Sequence, residues 1–212
     1  MRLVVFGPQG AGKGTQSQKI SEKFGVPSIA TGDIFRWAIS SGTALGGKVK
    51  SFVESGGMVP DELTIEVIRH RLSEDDCRAG FLLDGFPRNL HQADALDEIL
   101  AEQGHKLDAA LALEVPQEVS ERRILGRRMC SRCGRNYHID TPPANGWTCD
   151  ACGGKVVRRQ DDEDDEKVRE RLRLYYEQTE PLKQRYAGGG ILREVDGVGT
   201  PHEVFARITA VL

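Results

Sequence analysis

The chain has 212 residues, a net charge of −3 and a pI near 6.0, which gives room for one substantial α/β core with a small insertion. That acidic balance argues against general nucleic-acid binding, which a basic domain would serve. No stretch approaches the roughly 20 apolar residues of a membrane span. The Leu3–Phe6 run is also too short for a signal-peptide core, so a cytoplasmic protein is expected.

Leu3-Val4-Val5-Phe6 predicts a first strand buried on both faces. Gly7-Pro8-Gln9-Gly10-Ala11-Gly12-Lys13 follows, the Gly-x-x-x-x-Gly-Lys of a phosphate-binding loop, and then a helix over 13–24 stopped by Gly25. Strand, glycine loop and helix are the context this motif needs, because backbone N–H groups and the helix N-terminus can then face an anion. The motif breaks at one position: Gly14 stands where Ser or Thr would meet magnesium, and the hydroxyl arrives one residue late as Thr15.

Val26–Ile29 predicts a second strand, followed by helices near 33–41, 44–55 and 61–75, the last opened by Asp61 as N-cap. Cys77, at the end of that helix, is read as an ordinary thiol. Phe81-Leu82-Leu83 is a third strand running into Asp84-Gly85-Phe86-Pro87-Arg88. An acidic residue at the tip of a strand beside a phosphate loop can hold magnesium, directly or through water. Arg88 can present a two-pronged fork to a phosphate. A surface turn with a capping Asp is the blander alternative.

A helix from Asn89, a strand over 109–115 and a helix over 117–127 lead into a cysteine segment. There Cys130-x2-Cys133 and Cys149-x2-Cys152, fifteen residues apart, fit a four-thiolate zinc site with no open position, structural and not catalytic. Iron or cobalt can also occupy four thiolates, and two redox pairs or free thiols are the blander alternative. The segment at 127–163 lacks apolar periodicity and depends on metal for its folding free energy. A long helical pattern over 164–186, a strand over 191–195 and a closing helix over 201–212 complete the chain. Strands alternating with helices predict a parallel sheet flanked by helices, with ligands beyond the carboxyl ends of its strands.

Together these motifs resemble the adenylate kinase family. Gly-Lys-Gly-Thr at 12–15, Thr31-Gly32-Asp33, Asp84-Gly85-Phe86-Pro87-Arg88, Gly126-Arg127-Arg128 and Val195-Asp196-Gly197 fall in the family's order and separations. The cysteine segment resembles the long, zinc-carrying lid of bacterial members. The resemblance implies a P-loop core at 1–29, 60–125 and 164–212, an AMP-binding helical lobe at 30–59, and a zinc lid at 126–163. It also implies reversible, magnesium-dependent phosphoryl transfer from ATP to AMP, giving two ADP, by a monomer that binds neither nucleic acid nor membrane.

By the same resemblance, Gly10, Ala11, Gly12, Lys13, Gly14 and Thr15 wrap the ATP phosphates. Arg123, Arg127, Asn136 and Tyr137 reach ATP from the lid and its hinge, and Gly199 meets the adenine. AMP falls to Thr31, Gly32, Arg36, Gly57, Met58, Val59, Gly85, Phe86, Pro87, Arg88 and Gln92. Lys13, Arg88, Arg123, Arg159 and Arg171 carry the charge of the transfer, Arg159 and Arg171 also facing AMP. The family's Arg-x-Asp-Asp falls on Arg159-Gln160-Asp161-Asp162, with Arg158 as the alternative arginine, since the acidic run 161–166 is one residue longer than the family pattern. Most of that run is expected to be a solvated charged face.

His70, His91, His105, His138 and His202 are scattered, with surface or packing roles expected for each. Gly46-Gly47, Gly56-Gly57 and Gly126 suggest hinges for closure of two lobes over the core. Two other readings compete. A kinase for UMP, CMP or GMP would share the scaffold. The arginines at 122, 123, 127, 128, 132 and 135 could instead make the zinc lobe a nucleic-acid ribbon on an NTP-driven switch.

Overall fold

In a computed structural model the described residues are 1–55, 57–158, 162 and 164–212. The hinge reading of Gly56 and the arginine role given to Arg159 fall outside them.

The core is a five-stranded, all-parallel sheet flanked by helices, as the alternation of elements predicts. Its strands are β1 (Arg2–Phe6), β2 (Ser28–Ala30), β3 (Phe81–Asp84), β4 (Ala109–Glu114) and β8 (Leu192–Asp196), in the spatial order β2-β3-β1-β4-β8. Successive side chains of β1 go to opposite layers. Val4 and Phe6 join Leu83, Ile68, Leu96 and Leu182 on one face, while Leu3 and Val5 join Leu82, Ile20, Val204 and Ile208 on the other. The first layer is covered by α4 (Asp61–Leu72), α5 (Leu90–Glu102) and α8 (Leu182–Gly188), the second by α1 (Lys13–Phe24) and α9 (Pro201–Val211). Burial on both faces is why the central strands β1, β3 and β4 are apolar runs, whereas the edge strand β8 buries only Val195 and leaves Glu194 and Asp196 exposed.

Two smaller units have apolar clusters of their own. α2 (Thr31–Ser40) and α3 (Ala44–Ser55) pack Phe35 and Val49 with Val59, flanked by Ile39, Leu45, Val53, Leu63 and Val67. The two helices cross closely at Gly46, where a Cβ would sit 2.2 Å from the Ala38 carbonyl oxygen. The second unit follows α6 (Gln117–Gly126). β5 (Arg127–Cys130) pairs antiparallel with β6 (Asn136–His138) and β7 (Val156–Arg158), and Cys130, Cys149 and Val156 are buried among them.

The elements fall within a few residues of their predicted bounds, with three informative differences. The cysteine segment is a three-stranded sheet, which its composition did not announce. Asp61 is not an N-cap: Pro60 holds that position, and the Asp61 carboxylate accepts from Asn89 and Gln92 instead. The long helix is interrupted, with α7 (Asp165–Leu174) passing through a π turn at Tyr175–Thr179 before α8. Cys77 lies in a short 3-10 turn, and burial pushes its thiol up to about 11, with Arg71 opposing. Among the described residues no helix is long and apolar enough to cross a membrane.

Candidate functional site

The loops that matter leave the carboxyl ends of β1, β3, β4 and β8, where a doubly wound sheet offers its crevice. After β1 the chain turns through residues 7–12 into α1. Gly10 has φ +85°, and a Cβ there would lie 2.5 Å from the Ser120 carbonyl of α6, so only glycine closes the loop against that helix. The Lys13 ammonium donates to the carbonyls of Gly7 and Pro8 at 2.7 and 3.0 Å, which holds its charge over the loop. No acidic residue stands in the first turn of α1, so nothing there opposes a bound anion.

Asp84 ends β3 opposite the mouth of this loop. A Cβ on Gly14 would come within 3.7 Å of Asp84 Oδ2, so position 14 faces that carboxylate directly. Burial raises the Asp84 pKa above the ordinary carboxylate value, with Lys13 pulling the other way. A half-buried carboxylate whose charge costs free energy, set beside a phosphate loop, fits a hard cation retained partly through water.

Beside Asp84, one pocket gathers much of the expected AMP set: Thr31, Gly32, Arg36, Gly57, Met58, Val59, Gly85, Arg88, Gln92 and Arg171 all line it. Phe35, Val53 and Thr64, which the motifs did not single out, line it as well. Phe86 does not. It is 1% exposed in the sheet's core cluster, and Pro87 is buried too, so this part of the expected set supports the pocket from behind. The turn is tightly held. Gly85 has φ +82°, the Thr31 hydroxyl donates to its carbonyl at 2.9 Å, and Arg88 Nε donates to the same oxygen at 2.9 Å. Gln92, 1% exposed, accepts from the Arg88 amide at 2.8 Å and donates to Asp61 at 2.6 Å. Its amide orientation is thereby fixed at both ends.

Arg123 lies across the P-loop. Its guanidinium donates to the Gly197 carbonyl at 3.0 Å, with the Gly10, Ala11 and Gly199 carbonyls at 3.5 Å. This brings Gly199 and the loop to one place, and burial lowers the Arg123 pKa below its ordinary value against the pull of Asp196. Thr15 is exposed. Asn136 and Tyr137 lie on β6 of the cysteine unit, where the Tyr137 hydroxyl donates to Cys149 Sγ at 3.3 Å.

Besides Phe35, Val53 and Thr64, sequence reasoning gave no role to one further residue. Asp162, read within a solvated acidic run, has 0% exposure. Its Oδ2 accepts from Arg127 Nε and its Oδ1 from Arg127 Nη2, both at 2.7 Å. Arg171 of α7 and Gln9 of the P-loop reach Oδ1 at 3.0 and 3.2 Å. Arg158 also donates to the Asp162 carbonyl. One carboxylate thus ties β5, the long helix and the phosphate loop together. The only signal available in sequence was its place at the end of Arg-x-Asp-Asp.

Cys130, Cys133, Cys149 and Cys152 converge, with every pair of sulfurs within 4.8 Å and two pairs at 3.5 and 3.6 Å. Four thiolates about 2.3 Å from one ion in a tetrahedron stand roughly 3.8 Å apart, so the cluster fits a metal of that size. The surrounding donors suit thiolates: the Arg132 amide reaches Cys130 Sγ at 3.4 Å, and Tyr137 pulls the Cys149 thiol down to about 6.

A family model described as adenylate kinase matches residues 5–191. Proteins named adenylate kinase are similar along the whole chain. The one from Clostridium tetani is 52% identical over 214 residues, covering 100% of this chain and 98% of its own. That from Archaeoglobus fulgidus is 48% identical over 213 residues, with 100% and 98% covered. That from Carboxydothermus hydrogenoformans is 49% identical over 209 residues, with 98% and 97% covered.

Proposed function

The chain belongs to the adenylate kinase family, and on that premise we propose how its residues share the transfer of a phosphoryl group between ATP and AMP. The reaction asks for positioning and charge stabilisation, since the loose transition state spreads charge over phosphoryl oxygens and needs no protein nucleophile. The P-loop backbone and Lys13 hold the donor phosphates, with Arg123, Arg127 and the Gly199 backbone completing the ATP side. Arg36 and Arg88 hold the acceptor phosphate. Arg171, which lines the AMP pocket and also pairs with Asp162, bridges the two nucleotides. Asp84 would hold magnesium through water, and the ion would neutralise charge on the ATP phosphates.

What supports this division is the meeting of Arg88, Arg171, Thr31 and Gln92 in one pocket beside the P-loop. Gln92 adds a reason for adenine. With one lone pair given to the Arg88 amide and one N–H to Asp61, it keeps one acceptor and one donor position. Those match the amino donor and ring-nitrogen acceptor of adenine. Guanine presents the reverse pair, and the amide cannot flip to meet it without losing both partners.

We assign zinc to the four cysteines as a structural ion that staples the lid, and we take 30–59 and 126–163 as lobes moving over a monomeric, cytoplasmic core. Following ADP formation from ATP with AMP, GMP, CMP or UMP, with and without magnesium, tests the whole. AMP should be preferred and magnesium required. A clear preference for another acceptor would overturn the assignment of the pocket.

A further inference from the structure

The long helix does not run unbroken from Asp165 to Gly188, and the interruption has a geometric consequence. In a continuous α-helix, residues eight apart sit about 80° apart around the axis. Tyr175–Thr179 form a π turn, which winds less per residue and so brings Thr179 round toward the face that carries Arg171. Thr179 is 7% exposed. A helical threonine commonly spends its hydroxyl on its own preceding turn, but Thr179 Oγ1 donates at 2.7 Å to the carbonyl of Arg88, 91 residues away.

Arg88 is therefore gripped from several sides. Its amide donates to Gln92, its Nε donates to the Gly85 carbonyl, and its carbonyl accepts from Thr179. Arg88 and Arg171 line the same pocket, and the Thr179 hydroxyl joins the turn bearing one to the helix bearing the other. We propose that Thr179 is a positioning residue for the monophosphate end of the site, fixing the distance between these two arginines. The inference rests on Arg88 as the acceptor-phosphate ligand. Without the hydroxyl, the Arg88 carbonyl loses a donor and its peptide gains freedom to rotate. Misplacement of a binding group by about 1 Å can cost up to a hundredfold in rate.

Steady-state kinetics of Thr179→Val and Thr179→Ser, with Arg88→Lys as control, test this at temperatures well below each measured Tm. The valine variant should raise the KM for AMP roughly tenfold, the worth of one hydrogen bond, and lower kcat, while the KM for ATP changes by less than about twofold. The serine variant, which keeps the hydroxyl, should behave like the parent, and Arg88→Lys should raise the KM for AMP. Should the valine variant not fold, Thr179→Ala carries the same comparison. Equal rises in the KM for both nucleotides, an unchanged KM for AMP, or a serine variant as impaired as valine would overturn the inference while leaving Arg88 in place. An unchanged KM for AMP in Arg88→Lys would overturn the assignment of Arg88 itself.

Discussion

Gly14 and Asp84 show how one residue's chemistry displaces another's. Glycine at position 14 withdraws a hydroxyl from the phosphate loop and leaves that position facing the Asp84 carboxylate. Because burial raises the Asp84 pKa in the folded chain, folding disfavours its charge. Asp84 contributes its full stability below the ordinary carboxylate value, about 4, and that contribution is lost as pH rises through the raised one. In magnesium-free buffer, Asp84→Asn should therefore raise the Tm at neutral pH, by an increment that grows with pH across this window and then levels off. The same variant should lose most of its activity. Thermal melts from pH 4 to 8 check the sign, and a Tm that falls at neutral pH would contradict it. Asp61 carries a different lesson: read as a helix cap, it orients Gln92. Its replacement by Ala should narrow the kcat/KM preference for AMP over GMP by roughly tenfold, within the range that one lost polar contact supplies. Competing-substrate assays measure that ratio.

Elements were legible in proportion to the regularity of their burial. The central strands β1, β3 and β4 announce themselves because both faces are covered, and the helices because their apolar positions repeat. The lid sheet stayed hidden because β5, β6 and β7 run only three or four residues each, and their enclosed groups are largely cysteines. The cysteine spacing marks the segment, but strands this short leave no repeat in the sequence to mark them. If the cluster rather than an apolar core holds the lid, Cys133→Ser should release zinc and lower the Tm while the parallel sheet stays folded. Metal analysis and circular dichroism of the variant would show both, and retention of stoichiometric zinc would refute the assignment. Asp162 was hidden for the opposite reason, since its acidic neighbours give the whole run the look of a solvated face. It joins β5 through Arg127 to α7 through Arg171. Removing one member of a buried ionic cluster leaves uncompensated charge and costs about 3–5 kcal/mol. Asp162→Ala should lose stability of that order in urea unfolding, and a loss below about 1 kcal/mol would mean that the arginines find other partners.

Across the whole molecule, the sheet, the AMP-side helices and the lid each bury a separate apolar cluster. The AMP-side cluster still leans on the core through Leu63 and Val67 of α4, but units with their own cores move relative to one another by default. Water reaching the donor phosphate would hydrolyse it, so closure of these units over the nucleotides would serve the reaction. The joints show where movement can begin. At Gly126, where α6 gives way to β5, a Cβ would sit 2.0 Å from His138 Nε2, so the imidazole lies directly against the backbone of this junction. Arg127, the next residue, holds Asp162 with two hydrogen bonds. A nucleotide phosphate offers the same guanidinium an alternative anionic partner, so binding and lid movement should be coupled through that exchange. A bisubstrate analogue joining ATP and AMP should then reduce the radius of gyration in small-angle scattering. It should also increase amide protection in 30–59 and 126–163 beyond that in β1, β3 and β4. Unchanged dimensions and protection on saturation would show that the chain works without closing. Compaction without added protection in the lid would place the motion in the AMP-side helices alone.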